Sequence, residues 1–131
     1  MEKGFEKVMS YIGQLDYLVT HEDTAEELVV IQNEDAGITN MALDCEGEIL
    51  IMEQSIMDVP ASNREAFYEA LLKMNRNIVH GAFVLDCDGK KVIFRDTLQL
   101  ANIDLNELEA SINSLSLALA ENANQLLTYT K

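Results

Sequence analysis

The chain has 131 residues and a formal net charge of −14, with 23 acidic side chains against 9 lysines and arginines. So acidic a protein repels phosphate, which argues against nucleic acids and anionic membranes as partners. The length fits one domain, residues 1–131, with a core of its own. No apolar stretch approaches the roughly 20 residues of a membrane span, and residues 1–6 contain no apolar signal run. We therefore expect a cytoplasmic protein whose cysteines stay reduced.

The charge is unevenly distributed along the chain. Residues 1–60 carry 14 acidic side chains against 2 basic ones, whereas residues 61–131 carry 9 against 7. Such a charge serves solubility, attraction of a basic or amphipathic protein segment, or both.

The first sixty residues predict one helix and three strands. Four apolar residues at helical spacing predict the helix: Phe5, Val8, Met9 and Ile12. We expect this helix to stop at Gly13. An apolar cluster at 15–19 and an acidic loop at 21–27 follow. Short strand-like runs then occupy residues 28–31, 39–43 and 49–52. Because short turns join antiparallel neighbours, these runs predict a three-stranded meander.

The second half predicts a helix, a hairpin and a final helix. Ser62 and Glu65 match a capping box before an apolar stripe of Phe67, Ala70, Leu71, Met74 and Ile78. Strand-like runs at 82–85 and 92–94 flank a turn at 86–89. The expected fold class is α+β, a single antiparallel five-stranded sheet with helices packed on it, in the order α-β-β-β-α-β-β-α.

The last helix has the clearest periodicity in the chain. Asp104 and Glu107 form a cap signal. A heptad-like seam with one polar member follows, made of Leu105, Leu108, Ile112, Leu115, Leu119, Asn122 and Leu126. We favour a helix lying on the sheet, since Leu117, Ala118 and Ala120 widen its apolar face. The alternatives are a helix that also meets a partner helix, with Asn122 setting the register, and a subunit that assembles mainly through this seam.

Two segments share one pattern, Leu-Asp-Cys-acid-Gly, at residues 43–47 and 85–89. We interpret them as two similar hairpins in one sheet. The second, with the apolar run 83–85 before it, resembles the first motif of haloacid-dehalogenase-type phosphatases, which implies a Mg²⁺-dependent enzyme using Asp86 and Asp88. The residue after Gly89 is Lys90 where that family has Thr, and the next strand follows too soon for its crossover helix. A hairpin turn explains the pattern without catalysis.

No other catalytic or metal-binding pattern is present in the sequence. The candidate ligands Cys45, Cys87, His21 and His80 are scattered, without the spacing of a metal site. We expect idle thiols and no cofactor or metal, although two cysteines at equivalent turns could approach one another. The prediction is therefore a protein that is not an enzyme.

The element order, size and acidic charge together resemble the type III secretion chaperone-like fold, which the YbjN-like bacterial proteins share. Within it, the stretch from residues 71–75 through residues 92–98, followed by Leu105-Asn106-Glu107-Leu108-Glu109, is similar to the uncharacterised YjfI-like proteins.

This resemblance implies a homodimer that binds another protein. The dimer elements would be the helix 62–77 with the strand 83–85, through Phe67, Leu71, Met74 and Phe83. The client would be held by the first helix and the first three strands, through Phe5, Val8, Met9, Ile12, Val30 and Met41, by strand addition and helix-in-groove contacts. The client would be a secreted protein or a coiled-coil membrane-stress protein.

Overall fold

The computed structural model describes residues 4–130, so the expectation for the first residues of the chain falls partly outside it. The elements run in the order α1 (Gly4–Gln14), β1 (Leu18–Asp23), β2 (Leu28–Asn33), a 3₁₀ turn (Glu34–Ala36), β3 (Ile38–Glu46), β4 (Ile49–Asp58), α2 (Arg64–Asn75), β5 (Ala82–Leu85), β6 (Lys91–Gln99) and α3 (Leu105–Leu127).

One antiparallel sheet of six strands, in the order β1-β2-β3-β4-β6-β5, organises the described residues. The α+β class and the antiparallel sheet agree with the sequence analysis, but the expected five strands and the order α-β-β-β-α-β-β-α are wrong. The missing strand is β1, whose residues fall partly in the predicted apolar cluster and partly in the predicted acidic loop. Its six residues are nearly all exposed. An edge strand whose side chains bury little needs no alternating apolar pattern, so the sequence gives no signal for it.

Only one face of the sheet is fully covered. Val29, Leu43 and Met52 lie side by side on β2, β3 and β4, and all are buried. Their neighbours Val30 and Ala42, which point to the other face, remain partly exposed. The buried residues of all three helices join the covered face in one hydrophobic core. The second sheet face is therefore open to solvent.

Three predicted helix boundaries need correction. Gly13 does not stop the first helix, which continues to Gln14. The capping box at Ser62 does not form, because α2 starts at Arg64 after Asn63 in a left-handed conformation (φ 58°), without a side-chain cap. Asparagine tolerates that conformation better than most residues. Ile78 lies beyond the end of α2, in the loop that leads to β5.

The C-terminal helix matches its prediction more closely. Asp104 Oδ1 accepts a hydrogen bond from the Glu107 N–H at 2.7 Å, as expected of an N-cap. Leu108, Ile112 and Leu115 of the seam are fully buried in the core of this chain. Asn122 donates to the Ala118 carbonyl of its own helix. This arrangement favours the helix-on-sheet interpretation of the seam.

Candidate protein-binding surfaces

The apolar residues predicted to bind partners are mostly inside the core. Of the predicted client residues, Phe5, Val8, Ile12 and Met41 are buried, while Met9 and Val30 are half-buried. The four predicted dimer residues are also buried, namely Phe67, Leu71, Met74 and Phe83. Helical periodicity identifies the stripe that a helix buries, and here each stripe faces the chain's own sheet. The exposed apolar side chains of Leu72 and Leu85 lie beside the predicted dimer residues Leu71 and Phe83.

A groove with apolar walls separates α2 from the edge strand β5. Its volume is about 250 Å³, and it is lined by Tyr68, Leu71, Leu72, Phe83, Val84 and Leu85. Leu72 is 71 % exposed and Leu85 is 40 % exposed. The predicted dimer residues Leu71 and Phe83 form the buried floor of this groove, whereas Leu72 and Leu85 on its exposed rim are not among the predicted residues. Large apolar side chains left in water beside one another are typical of an interaction surface.

The loop between α2 and β5 is fixed at several points. Gly81 has a left-handed backbone (φ 83°), and a Cβ there would lie 2.7 Å from Phe94 Cε1, so only glycine fits. The Ser114 hydroxyl of α3 donates to the His80 carbonyl at 2.6 Å and accepts from the His80 N–H at 3.3 Å. Asn75, the last residue of α2, binds both backbone polar groups of Phe83. Hydrogen bonds and close packing therefore hold the loop that leads into the groove.

A second apolar cleft, of about 150 Å³, lies between this loop and α3. Val79 and Leu117 line it and are 81 % and 56 % exposed. Glu121 and His80 also line it.

The surface of the molecule is divided by charge. Residues 8–63, which contain β1 to β4, carry twelve acidic side chains and no lysine or arginine. Residues 64–85, which contain α2 and β5, carry three basic side chains against two acidic ones. The α2–β5 groove is therefore nearly neutral in a chain whose other half is strongly acidic.

Acidic groups crowd together at the turn between β3 and β4. A side-chain hydrogen bond with Asp44 and the charge of that carboxylate raise the pKa of Glu46. Burial, followed by the charges of Glu27 and Asp44, raises the pKa of the Cys45 thiol to about 11. A thiol in this environment stays protonated and unreactive at neutral pH.

The Asp86-Cys87-Asp88-Gly89 segment forms the hairpin turn between β5 and β6. One oxygen of Asp86 accepts from the Lys90 N–H at 2.8 Å and from the Lys91 N–H at 3.2 Å. These backbone hydrogen bonds lower the pKa of the Asp86 carboxyl. The carboxylate that would be the nucleophile in the phosphatase interpretation therefore accepts hydrogen bonds from the backbone of its own turn.

The two cysteines do not approach one another. Cys45 lies opposite Leu50, and Leu50 lies opposite Leu98 near the end of β6. Cys87 precedes Lys91, which begins β6, so the cysteines sit at opposite ends of the sheet. Cys45 is buried and Cys87 is exposed. Within residues 4–130, no group of three or more Cys, His, Asp or Glu side chains is placed to hold a metal ion. No helix in this range is long and apolar enough to cross a bilayer.

Comparison with solved structures gives the same fold at low sequence identity. YbjN from E. coli superposes with a TM-score of 0.72 at 11 % identity, covering 95 % of this chain and 94 % of that one. The HopA1-SchA chaperone–effector complex gives a TM-score of 0.59 at 10 % identity, covering 87 % of each chain. No curated protein matches the sequence. These likenesses confirm the predicted chaperone-like, YbjN-like fold.

The family comparison covers the whole sequence. The model of the CesT_Tir_1 family, a family of type III secretion chaperones, matches residues 1–131. A match of this extent shows membership, so the chain belongs to the CesT_Tir_1 family.

Proposed function

We propose that this protein is a cytoplasmic, chaperone-like adaptor that captures a partner protein without covalent chemistry and works as a homodimer. The observation that carries the proposal is the division of the surface into an acidic region, β1 to β4, and a nearly neutral groove with apolar walls between α2 and β5. The two regions suit two different partners. Membership of a chaperone family supports the same role.

The groove suits a second copy of the chain. Two copies that each carry −14 repel one another, and the repulsion is least where the facing surfaces carry little net charge. The α2–β5 region meets that condition and also exposes Leu72 and Leu85 for burial. Homodimer interfaces are apolar at their centre and depleted in charge. The predicted dimer elements thus keep their place in the proposal, with contact made by the rim of the groove.

The acidic region suits a client segment that carries lysine or arginine. Val30, Ala42 and Ile51 lie half-buried on the open sheet face, and the carboxylates of Asp44 and Glu53 lie on the same face. Apolar contact with the open face gives affinity, and the carboxylates select basic segments and speed their association. Met9 and Val30 are the predicted client residues that remain accessible in part. The client is a secreted protein or a coiled-coil membrane-stress protein.

Capture of proteins from a lysate of the protein's own cells tests this function. We expect one dominant protein to be retained at about 50 mM salt and lost as salt rises toward 500 mM, because ionic screening weakens attraction between exposed charges. The double variant Asp44→Lys/Glu53→Lys reverses the two charges that lie on the open sheet face and should reduce retention on the order of tenfold.

The matched control is Asp88→Lys/Glu121→Lys, which makes the same change in net charge at exposed positions outside the acidic region. It should retain the client as the wild type does. Equal losses in both double variants would show that total charge, and not the acidic region, attracts the partner. A wild-type bait that retains no protein at either salt concentration would contradict the proposed function.

A further inference from the structure

The two free edges of the six-stranded sheet differ in their hydrogen bonding. Among residues 4–130, β1 pairs only with β2 and β5 pairs only with β6, so each strand has one side without a neighbouring strand. A free edge presents unpaired N–H and C=O groups to any other extended segment. On β5, a side chain from α2 occupies part of that edge.

Asn75 binds Phe83 as a neighbouring strand would. The Phe83 N–H donates to Asn75 Oδ1 at 2.8 Å, and Asn75 Nδ2 donates to the Phe83 carbonyl at 3.1 Å. Phe83 lies opposite Phe94 of β6. Residues of an antiparallel pair alternate between those bonded to the partner strand and those whose groups point away from it. Both polar groups of Phe83 therefore point to the free side of β5, and one amide side chain satisfies them.

The short length of β5 makes this contact decisive. The strand has four residues, Ala82–Leu85, and by the same alternation only Phe83 and Leu85 direct their backbone groups outward. The Asp86 N–H donates to the Lys91 carbonyl of β6, so the alternation directs the backbone groups of Phe83 and Leu85 away from β6. With Phe83 occupied, an incoming strand finds one residue to pair with. One residue cannot fix the register of a strand pair.

We propose that Asn75 closes the β5 edge to strand addition, so that a second copy enters the α2–β5 groove through side chains alone and the assembly stops at the dimer. The statement that a second copy enters rests on the proposed function. Without Asn75, the β5 edge of one copy could pair with the β1 edge of the next. Head-to-tail contacts of that kind are not limited to two copies and lead to rings or open-ended filaments.

Sedimentation velocity of Asn75→Ala tests the proposal. This variant should form species larger than a dimer that grow with protein concentration, while the wild type should not. The matched control is Asn77→Ala, two residues away on the exposed loop. It should sediment as the wild type. If Asn75→Ala sediments as Asn77→Ala does, Asn75 does not limit assembly and the proposal is wrong.

Amide hydrogen exchange gives a second measurement that needs no change at Asn75. In the Leu72→Asp background, where the groove is blocked by a charge at an exposed position, the Phe83 amide should exchange at least about tenfold more slowly than the Leu85 amide. Equal exchange rates would overturn the proposal even if Asn75→Ala fails to fold.

The same samples separate this proposal from the homodimer on which it rests. If the wild type is monomeric at every concentration, or if Leu72→Asp leaves a dimer intact, the homodimer through the groove is wrong. The exchange contrast between Phe83 and Leu85, and the comparison of Asn75→Ala with Asn77→Ala, still decide whether Asn75 closes the edge.

Discussion

Two hairpins share the pattern Leu-Asp-Cys-acid-Gly, but its cysteine is buried in one hairpin and exposed in the other. In the β3–β4 hairpin the strand continues through Glu46, so alternation directs Cys45 into the core beside Leu43 and Leu50. In the β5–β6 hairpin the strand ends at Leu85, so the rest of the pattern forms a loop in which Cys87 is exposed. The difference shows that strand length, which depends on pairing partners, decides which structure a similar local sequence adopts.

The carboxylates before the two cysteines differ in the same way. Asp44 stays in a strand, where it lies near Glu46 and raises the pKa of that residue. Asp86 turns inward on its own loop and accepts backbone N–H groups, which lower its own pKa. The first carboxylate is crowded by like charge, and the second stabilises the turn in which it lies.

The largest expected effect is a difference in thiol reactivity. At pH 8 a thiol of pKa about 11 is ionised in only about one molecule in a thousand, and Cys45 is also buried. Iodoacetamide should therefore modify Cys87 at least about a hundredfold faster than Cys45 in the folded protein. Mass spectrometry of the two tryptic peptides over time measures both rates. Similar rates would show that the β3–β4 hairpin opens readily.

A smaller effect is expected on the free energy of unfolding. Cys45→Asp places a carboxyl group in the core beside other acidic residues and should lower that free energy by about 2 kcal/mol. Cys87→Asp makes the same change at an exposed turn and should change it by less than about 0.5 kcal/mol. Urea denaturation of the two variants gives the comparison. Equal destabilisation would mean that the two sites are alike.

The smallest effect is a difference in pH dependence between Asp86→Asn and Asp44→Asn. The lowered pKa of Asp86 stabilises the fold above the unfolded-state pKa, about 4, and this contribution is lost as pH falls through the folded-state value. Asp86→Asn should therefore destabilise the protein at pH 7 and flatten the decline in stability below about pH 4.

Asp44→Asn should act in the other direction. The raised pKa of Glu46 means that its ionised form is disfavoured in the fold, so repulsion lowers stability at pH 7 and fades as pH falls through the folded-state value. Removing the Asp44 charge should raise stability at pH 7, with a gain that shrinks toward pH 4. Urea denaturation between pH 3 and 7 measures both profiles. Parallel profiles for the two variants would contradict the assigned contacts.

Much of the fold could be predicted because burial leaves a periodic pattern in the sequence. The helical stripes of Phe5 to Ile12 and of Leu108 to Leu126 gave two helices, and the paired apolar runs gave the β3–β4 and β5–β6 hairpins. The strand β1 was not predicted because its side chains bury little apolar surface. The polar second half of β4 also escaped, since its buried member is Gln54, which bonds the Gly37 carbonyl and the Thr39 N–H.

The binding surfaces were harder to predict than the fold. Leu71 belongs to the predicted helical stripe and Phe83 to an apolar strand run, and the structure places both at the floor of the groove. Leu72 and Leu85 have no periodic signal, since an exposed apolar residue stands out only when its neighbours in space are known. The contact of Asn75 with the β5 edge could not be predicted from the sequence either, because it joins the end of a helix to a strand that begins seven residues later.

The Ser114 contact with the loop before β5 has a consequence for the thermodynamics of association. The hydroxyl bonds both the N–H and the carbonyl of His80, so α3 holds the segment that leads into the groove before any partner arrives. A surface that is already ordered loses little conformational entropy when it is covered. Association at the groove should then have a small entropic penalty, and calorimetric heats should reflect contact and desolvation more than ordering of the chain.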